Sequence, residues 1–297
     1  VREREPYQIA AVGTTGVGKT YQNLLQARAV LIGNPANAVK PRKVLFIDNN
    51  KEYHNENQDV KEIFCKYGYF IKTIHYKQVP AFTRQAYIEA CRIIPVDDRG
   101  QLLSGKEFGK ILNWVLNNFK NGFIIAEDFR SYAGAQLNDE LIARLMTRRH
   151  TGCDTLLSVQ DINLIHPSLL SVLKWIRLHK SLDNLTRTDK FTGKIALISI
   201  AQNIVNNRYK LGGDYERSFV KVDNMLSVIR GFYTPEEFSA AVQQYVFENY
   251  AQTVGKKLAW RDVNTGKKLY NDQSALKMIL EEYTNQYSQY SPRNRKQ

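Results

Sequence analysis

Eight consecutive residues, Gly13, Thr14, Thr15, Gly16, Val17, Gly18, Lys19 and Thr20, have the types and spacing that phosphate chemistry needs. Glycines let the backbone turn tightly enough for successive N–H groups to point inward at phosphate oxygens. Lys19 offers a cation to the β- and γ-phosphates, and the Thr20 hydroxyl can ligate a divalent metal. The stretch matches GxxxxGK[ST] in full, so ATP and Mg²⁺ are the expected ligands. A glycine-rich turn that binds nothing is the competing reading. The context argues against it, because an apolar run, Tyr7–Val12, precedes the loop and helical composition, Thr20–Leu31, follows it.

A triphosphate site that hydrolyses its ligand also needs acids, one beside the metal and one to orient or deprotonate water. The apolar run Phe123–Ala126 ends in Glu127 and Asp128. It is expected to be a strand beside the phosphate-loop strand, with Glu127 at the metal and Asp128 at the water. The reverse assignment stays open, and Glu52 could share the work; solvated acids capping a strand are the plainer alternative. A second apolar run, Thr155–Val159, ends in Gln160, whose amide could bond the γ-phosphate or the attacking water. Between these runs lie Arg144, Arg148 and Arg149. Arg148 and Arg149 are the candidates to reach a neighbouring subunit's γ-phosphate, although a solvated basic face accounts for any single one of them. His54, His75 and His166 lack zinc-ligand spacing.

These side chains require elements to hold them. Lys43–Ile47 and Tyr69–Ile74 read as further strands, and Phe108–Phe119 as a helix with Ile111, Leu112, Val115, Leu116 and Phe119 on one face. Asn138 can cap a helix that carries Leu141, Ile142, Leu145 and Met146. Pro167–Leu173 reads as a short helix and Trp175–Leu178 as a strand. Strands alternating with amphipathic helices predict an α/β fold, a mainly parallel sheet with helices on both faces. Beyond Ser181, Ile195–Ile204 and Tyr209–Leu211 read as strands of a hairpin edge. Pro235–Tyr250, capped by Thr234, and Ser274–Tyr287 read as helices. The expected organisation is a core over residues 1–181 and a smaller α+β extension over 182–297, joined to the core as one compact unit, with a basic tail at Ser291–Gln297.

Composition narrows the partners. The chain has 297 residues with 42 Lys and Arg against 29 Asp and Glu, a net charge of +13, which favours a polyanion such as DNA. Solubility alone is the plainer explanation of such charge. No apolar run reaches the roughly 18 residues that a membrane helix needs, so no integral membrane segment is expected. Three widely spaced cysteines, Cys65, Cys91 and Cys153, read as reduced structural thiols of a cytoplasmic protein.

Taken in order, GTTGVGKT, VLFIDNNKEY, FIIAED and RRHTGCDTLLSVQD resemble the FtsK–HerA superfamily of DNA-pumping ATPases, and within it the genome-packaging ATPases of viruses and phages. The resemblance covers about residues 7–180. It implies a RecA-like core, a homo-oligomeric ring (often a hexamer) and ATP-driven movement of DNA through its pore. It further implies a sensor role for Gln160 and an arginine finger acting between subunits. The chain departs from the family in placing Glu127 before Asp128, where the usual Walker B order is Asp then Glu. Host cytoplasm, association with the virion and contact with capsid vertex proteins follow from the same resemblance. Two other readings fit the residues: a nucleotide-gated regulatory ATPase that binds DNA without pumping it, and a small-molecule kinase using Arg84, Arg92 and Arg99 near an acceptor.

Overall fold

A computed structural model of the chain describes residues 6–97, 99–103, 105–128, 139–147, 151–181, 185, 191 and 193–291. The chain divides into two compact units between Trp175 and Ile176.

The first unit is built on six strands: β1 (Gln8–Val12), β2 (Lys43–Ile47), β3 (Ile71–Thr73), β4 (Ala90–Ile93), β5 (Gly122–Ala126) and β6 (Asp154–Val159). Their order across the sheet is β3-β4-β2-β5-β6-β1, and every adjacent pair is parallel. Parallel strands cannot be joined by tight hairpins, so the chain returns through crossovers that cover the sheet faces. A strand covered on both faces must be apolar throughout, and KVLFI, GFIIA and DTLLSV are buried at every position. The first crossover is helix α1 (Lys19–Ile32), which buries Leu24, Ala27 and Leu31. The core beneath it joins Ile9, Leu24, Phe46, Tyr53, Phe64 and Leu156. Within it the Phe46 ring stacks on Tyr53 at 4.2 Å between centroids and meets Phe64 edge-on at 6.2 Å.

The strand carrying Glu127 is not beside the phosphate-loop strand, contrary to the expectation from sequence. β6 lies between β1 and β5. Strand order is fixed by which crossover passes over which face, and no local pattern encodes it. β4 and the β8–β9 pair described below were also not read from the sequence.

The second unit opens in β7 (Trp175–Leu178), followed in sheet order by β8 (Val220–Asp223) and β9 (Val228–Gly231), the latter two antiparallel. Residues expected to form a hairpin edge, Ile195–Ile204 and Tyr209–Leu211, instead belong to one helix, Ile195–Tyr209, and the turn after it. Its buried residues, Leu197, Ile198, Ile200, Ala201, Ile204 and Val205, recur at helical spacing. A helix apolar on most of its circumference is a buried helix, and over a short window it cannot be told from a buried strand. The helix Pro235–Glu248 begins as expected at Thr234. The Thr234 hydroxyl accepts the Glu237 N–H at 3.2 Å, while the Glu237 carboxylate accepts the Thr234 N–H at 2.7 Å. Asn138, the expected cap of the helix Asp139–Met146, lies outside the described residues.

Phe46 has no exposed surface, and its ring supports Tyr53. Phe46→Ala is expected to lower the stability of the full chain by about 3–5 kcal/mol in urea unfolding. A loss under about 1 kcal/mol would show that the surrounding core collapses into the space.

Candidate nucleotide-binding site

Parallel register brings the carboxyl ends of four strands to one edge. Val12 pairs with Val159, Ala126 with Leu157, and Ile47 with Ala126. The residues that leave these strands are Gly13, Gln160, Glu127 and Asp48. Ligands of open α/β sheets bind at this edge.

The loop from β1 into α1 carries the phosphate geometry. Gly13, Gly16 and Gly18 have φ of 155°, 81° and 81°, a backbone that side chains rarely allow. Gly18 is the N-cap of α1 and brings no side-chain oxygen to it, and the first turn carries no acid. The positive end of the helix is therefore left to an anion. The Lys19 ammonium folds across the loop, donating to Gly13 O at 2.5 Å and Thr14 O at 2.7 Å. The Gly13 N–H reaches Val159 O at 3.2 Å, tying the loop to the strand that ends in Gln160.

The acids occupy distinct positions. The Thr20 hydroxyl donates to Glu52 Oε2 at 2.7 Å, so the acid bonded to the last residue of the loop is Glu52. Its hydrogen is committed to that carboxylate, which leaves the Thr20 oxygen lone pairs for a cation. Glu127 is buried, and its Oε1 accepts from the Tyr53 hydroxyl and from Asn23 Nδ2 on α1. Burial pushes the Glu127 carboxyl above the usual glutamate range, against the hydrogen bonds of Tyr53 and Asn23. Burial also raises the Tyr53 phenol well above its ordinary value, and the neighbouring Glu127 adds to this. Asp128 is half-buried in a left-handed conformation, φ 43°, and accepts from Asn50 Nδ2 at 2.7 Å.

Glu52 and Tyr53 are held by Asp48. One Asp48 oxygen accepts the Glu52 N–H at 2.8 Å; the other accepts the Tyr53 N–H at 3.0 Å and the Arg92 guanidinium at 3.0 Å. Asn49 Nδ2 donates to the Glu127 carbonyl at 2.9 Å, fastening the end of β2 to that of β5. Gln160 is exposed. It lies three residues beyond Leu157, whereas Glu127 lies one residue beyond Leu157's partner Ala126. At about 3.3 Å per residue the glutamine stands roughly 6–7 Å further out along the strand direction.

The described structure thus gathers Lys19, Thr20, Glu52 and Glu127 around the start of α1. Arg148 and Arg149 lie outside the described residues. Arg144 bonds the Asn117 side chain. Sequence reasoning did not foresee the structural roles of three residues, although Arg92 was named there as a kinase candidate. Asn23 carries a local signal, since it falls about one helical turn after Thr20 on the same helix face. Asn49 and Arg92 act across strands distant in sequence, and nothing local marks them. Among the described residues no group of three or more His, Cys, Asp and Glu could hold a metal unaided. Mg²⁺ does not need one, because it keeps waters and takes phosphate oxygens with one or two protein oxygens. Thr20 and the carboxylates beside it fit that donor set.

A parallel sheet flanked by helices, with a GxxxxGK[ST] loop leading from a strand into a helix, is the fold of the P-loop NTPases. No protein-family model and no curated protein matches the sequence. Among solved structures, the chain is similar to the genome packaging NTPase B204 from Sulfolobus turreted icosahedral virus 2 in complex with ATP-gammaS. Identity there is 15% with a TM-score of 0.48, over 77% of this chain and 97% of that one. It is similar also to B204, the DNA-packaging ATPase of Sulfolobus turreted icosahedral virus, at 13% identity and a TM-score of 0.47, over 76% of this chain and 97% of that one. The N-terminal domain of zonular occludens toxin from Neisseria meningitidis aligns at 17% identity with a TM-score of 0.35, over 62% of this chain and 81% of that one.

Burial of Glu127 makes stability depend on pH with a definite sign. Its folded pKa stands above the unfolded value of about 4.3, so the protonated form favours folding. The stability this contributes is full below that value and is lost as pH rises toward the folded pKa. Glu127→Gln, which keeps an oxygen acceptor, is expected to gain stability relative to the wild type as pH rises above about 4.3. Urea midpoints of both proteins across pH test this, and a difference that does not change with pH would refute it.

Proposed function

We propose that this protein is an ATP-driven nucleic-acid translocase, a viral genome-packaging motor that hydrolyses ATP to pump DNA through a homo-oligomeric ring. The observation that carries the reading is the pair of acids at the loop: Glu52 bonded to Thr20, and Glu127 buried one helical turn away on Asn23. A site that only holds nucleotide needs neither, whereas hydrolysis uses acids beside the metal and the water.

Lys19 would bind the β- and γ-phosphates with the loop N–H groups, and Thr20 would hold Mg²⁺ with Glu52 or Glu127 nearby. The bound ion would neutralise charge on the phosphates. Glu127, fixed by Tyr53 and Asn23, and Asp128, fixed by Asn50, are the two acids available to orient water. Gln160, further out past the neighbouring strand, would sense the γ-phosphate. Arg148 and Arg149 would act across a subunit interface in a ring, which we take to be a hexamer.

The net charge of +13 supports a polyanionic cargo gripped without regard to sequence. Among the described residues no helix is long and apolar enough to cross a membrane. Placement in the host cytoplasm, and on the particle at the capsid vertex, belongs to the same proposal. A kinase reading loses one of its three arginines, since Arg92 is engaged by Asp48.

Turnover of ATP should rise when duplex or single-stranded DNA is added, with a ring-sized mass in the same buffer. Lys19→Ala should lower turnover by at least about a hundredfold, the scale of losing a charge clamp on a transferring phosphoryl group. Full turnover by that variant would remove the site assignment. A monomer whose turnover ignores DNA would remove the motor, and saturable nucleotide binding with negligible turnover would favour the regulatory switch.

A further inference from the structure

In the second unit, the segment from Trp260 to Leu269 folds as a hairpin-like arm closed by one antiparallel bridge, Arg261 to Lys268, and contributes almost nothing to a core. The Leu269 N–H reaches Trp260 O at 3.2 Å, and the Asp262 N–H reaches Lys267 O at 2.9 Å. Its turn is set by Asp262, whose Oδ1 accepts from Asn264 N at 3.1 Å, Thr265 N at 2.7 Å and the Thr265 hydroxyl at 2.8 Å. Every residue from Trp260 to Leu269 except Asp262 is exposed, Val263 by 98% and Trp260 by 50%. An ordered backbone with no buried side chains carries the entropic cost of folding without the apolar burial that usually offsets it. Such an arm offers its side chains to something outside itself.

The charge on the arm says what that is. Arg261 and Lys268 face each other across the antiparallel bridge. Like charges directly opposite destabilise a strand pair. Lys267 adjoins them, and Lys256 and Lys257 precede the arm on the helix Val254–Leu258. The arm's one acid, Asp262, is engaged by its own turn. Lys257 is paired with Glu282 at 3.2 Å and lies 4.4 Å from the centre of the Trp260 ring. Arg261 spends Nη1 on the carbonyls of Leu258 and Trp260, which fixes its stem at the base of the arm.

We propose that this arm grips the phosphodiester backbone of nucleic acid, with Arg261, Lys267 and Lys268 on phosphates and the Trp260 ring beside the bases. A polyanion turns the repulsion between Arg261 and Lys268 into attraction for both, and releases its own counterions on binding. An exposed ring among cations is the combination that single strands use for stacking. The proposal rests on the reading of the chain as a nucleic-acid motor, and names the surface that holds the cargo.

The test compares the full-length wild type with Arg261→Ala/Lys267→Ala/Lys268→Ala. Binding of labelled duplex and labelled single strand is followed by fluorescence anisotropy over a salt series, and ATP turnover without DNA is measured on both proteins. None of the three residues belongs to the nucleotide site, so unchanged DNA-free turnover shows that the variant is folded. The expected result is affinity lower by about tenfold or more. The slope of log K against log salt should fall by about 0.7–0.9 for each phosphate that the variant no longer neutralises. Wild-type binding that the variant retains with the same slope overturns the arm assignment and leaves the motor reading standing. A wild type that binds neither strand form overturns both. If the variant keeps its DNA affinity but loses ring mass, the arm meets another subunit instead, and the nucleic-acid assignment is withdrawn.

Discussion

Asp48 has no contact with water, and a buried carboxylate is tolerable only when its lone pairs are engaged. Here two backbone N–H groups and the Arg92 guanidinium do this. The arrangement bends the chain immediately after β2, so that Glu52 meets Thr20 and Tyr53 meets Glu127. Without the turn both acids lose their address. The phosphate loop makes its own shape, but the chemistry around it depends on this one carboxylate and on the arginine that β4 supplies from the next strand.

The partners of Asp48 also connect the site to the core. Tyr53 is at once a hydrogen-bond donor to Glu127 and a ring stacked on Phe46. Its phenol is deeply buried, so the proton stays on the oxygen and the hydroxyl remains a donor. Position at the carboxyl edge of the sheet is therefore a matter of aromatic packing as much as of polar contact. The apolar part of β2 and the polar residues that follow it are consecutive in the chain and work as one piece.

What could be read from the sequence follows the range over which each feature is determined. The loop Gly13–Thr20 is local, with every functional atom inside eight residues, and its strand and helix flanks were legible for the same reason. Strands β1, β2, β5 and β6 announce themselves as apolar runs. Their order does not, and the interposition of β6 between β1 and β5 emerged only in three dimensions. Arg92 lies 44 residues from Asp48, and Asn49 lies 78 from Glu127, separations at which pattern reading is blind. The helix Ile195–Tyr209 was misread because Ile195–Ala201 carries too few polar residues to expose its period. The Gln160 position was legible, while its distance outward from Glu127 depended on register.

Helix α1 carries Thr20 and Asn23 on adjacent turns, about 4.5 Å apart along its axis. Thr20 is tied to Glu52 and Asn23 to Glu127, so the helix is pinned to two different acids by one rigid rod. Neither contact can be displaced without dragging the other. The start of α1 is therefore held at two points, one on each acid. The strand between the loop and Glu127 is different in kind: Gln160 is exposed just past its end, which meets the loop through the Gly13 N–H bond. The two acids thus form the fixed frame of this edge, and the end of β6 is the part of it left open to solvent.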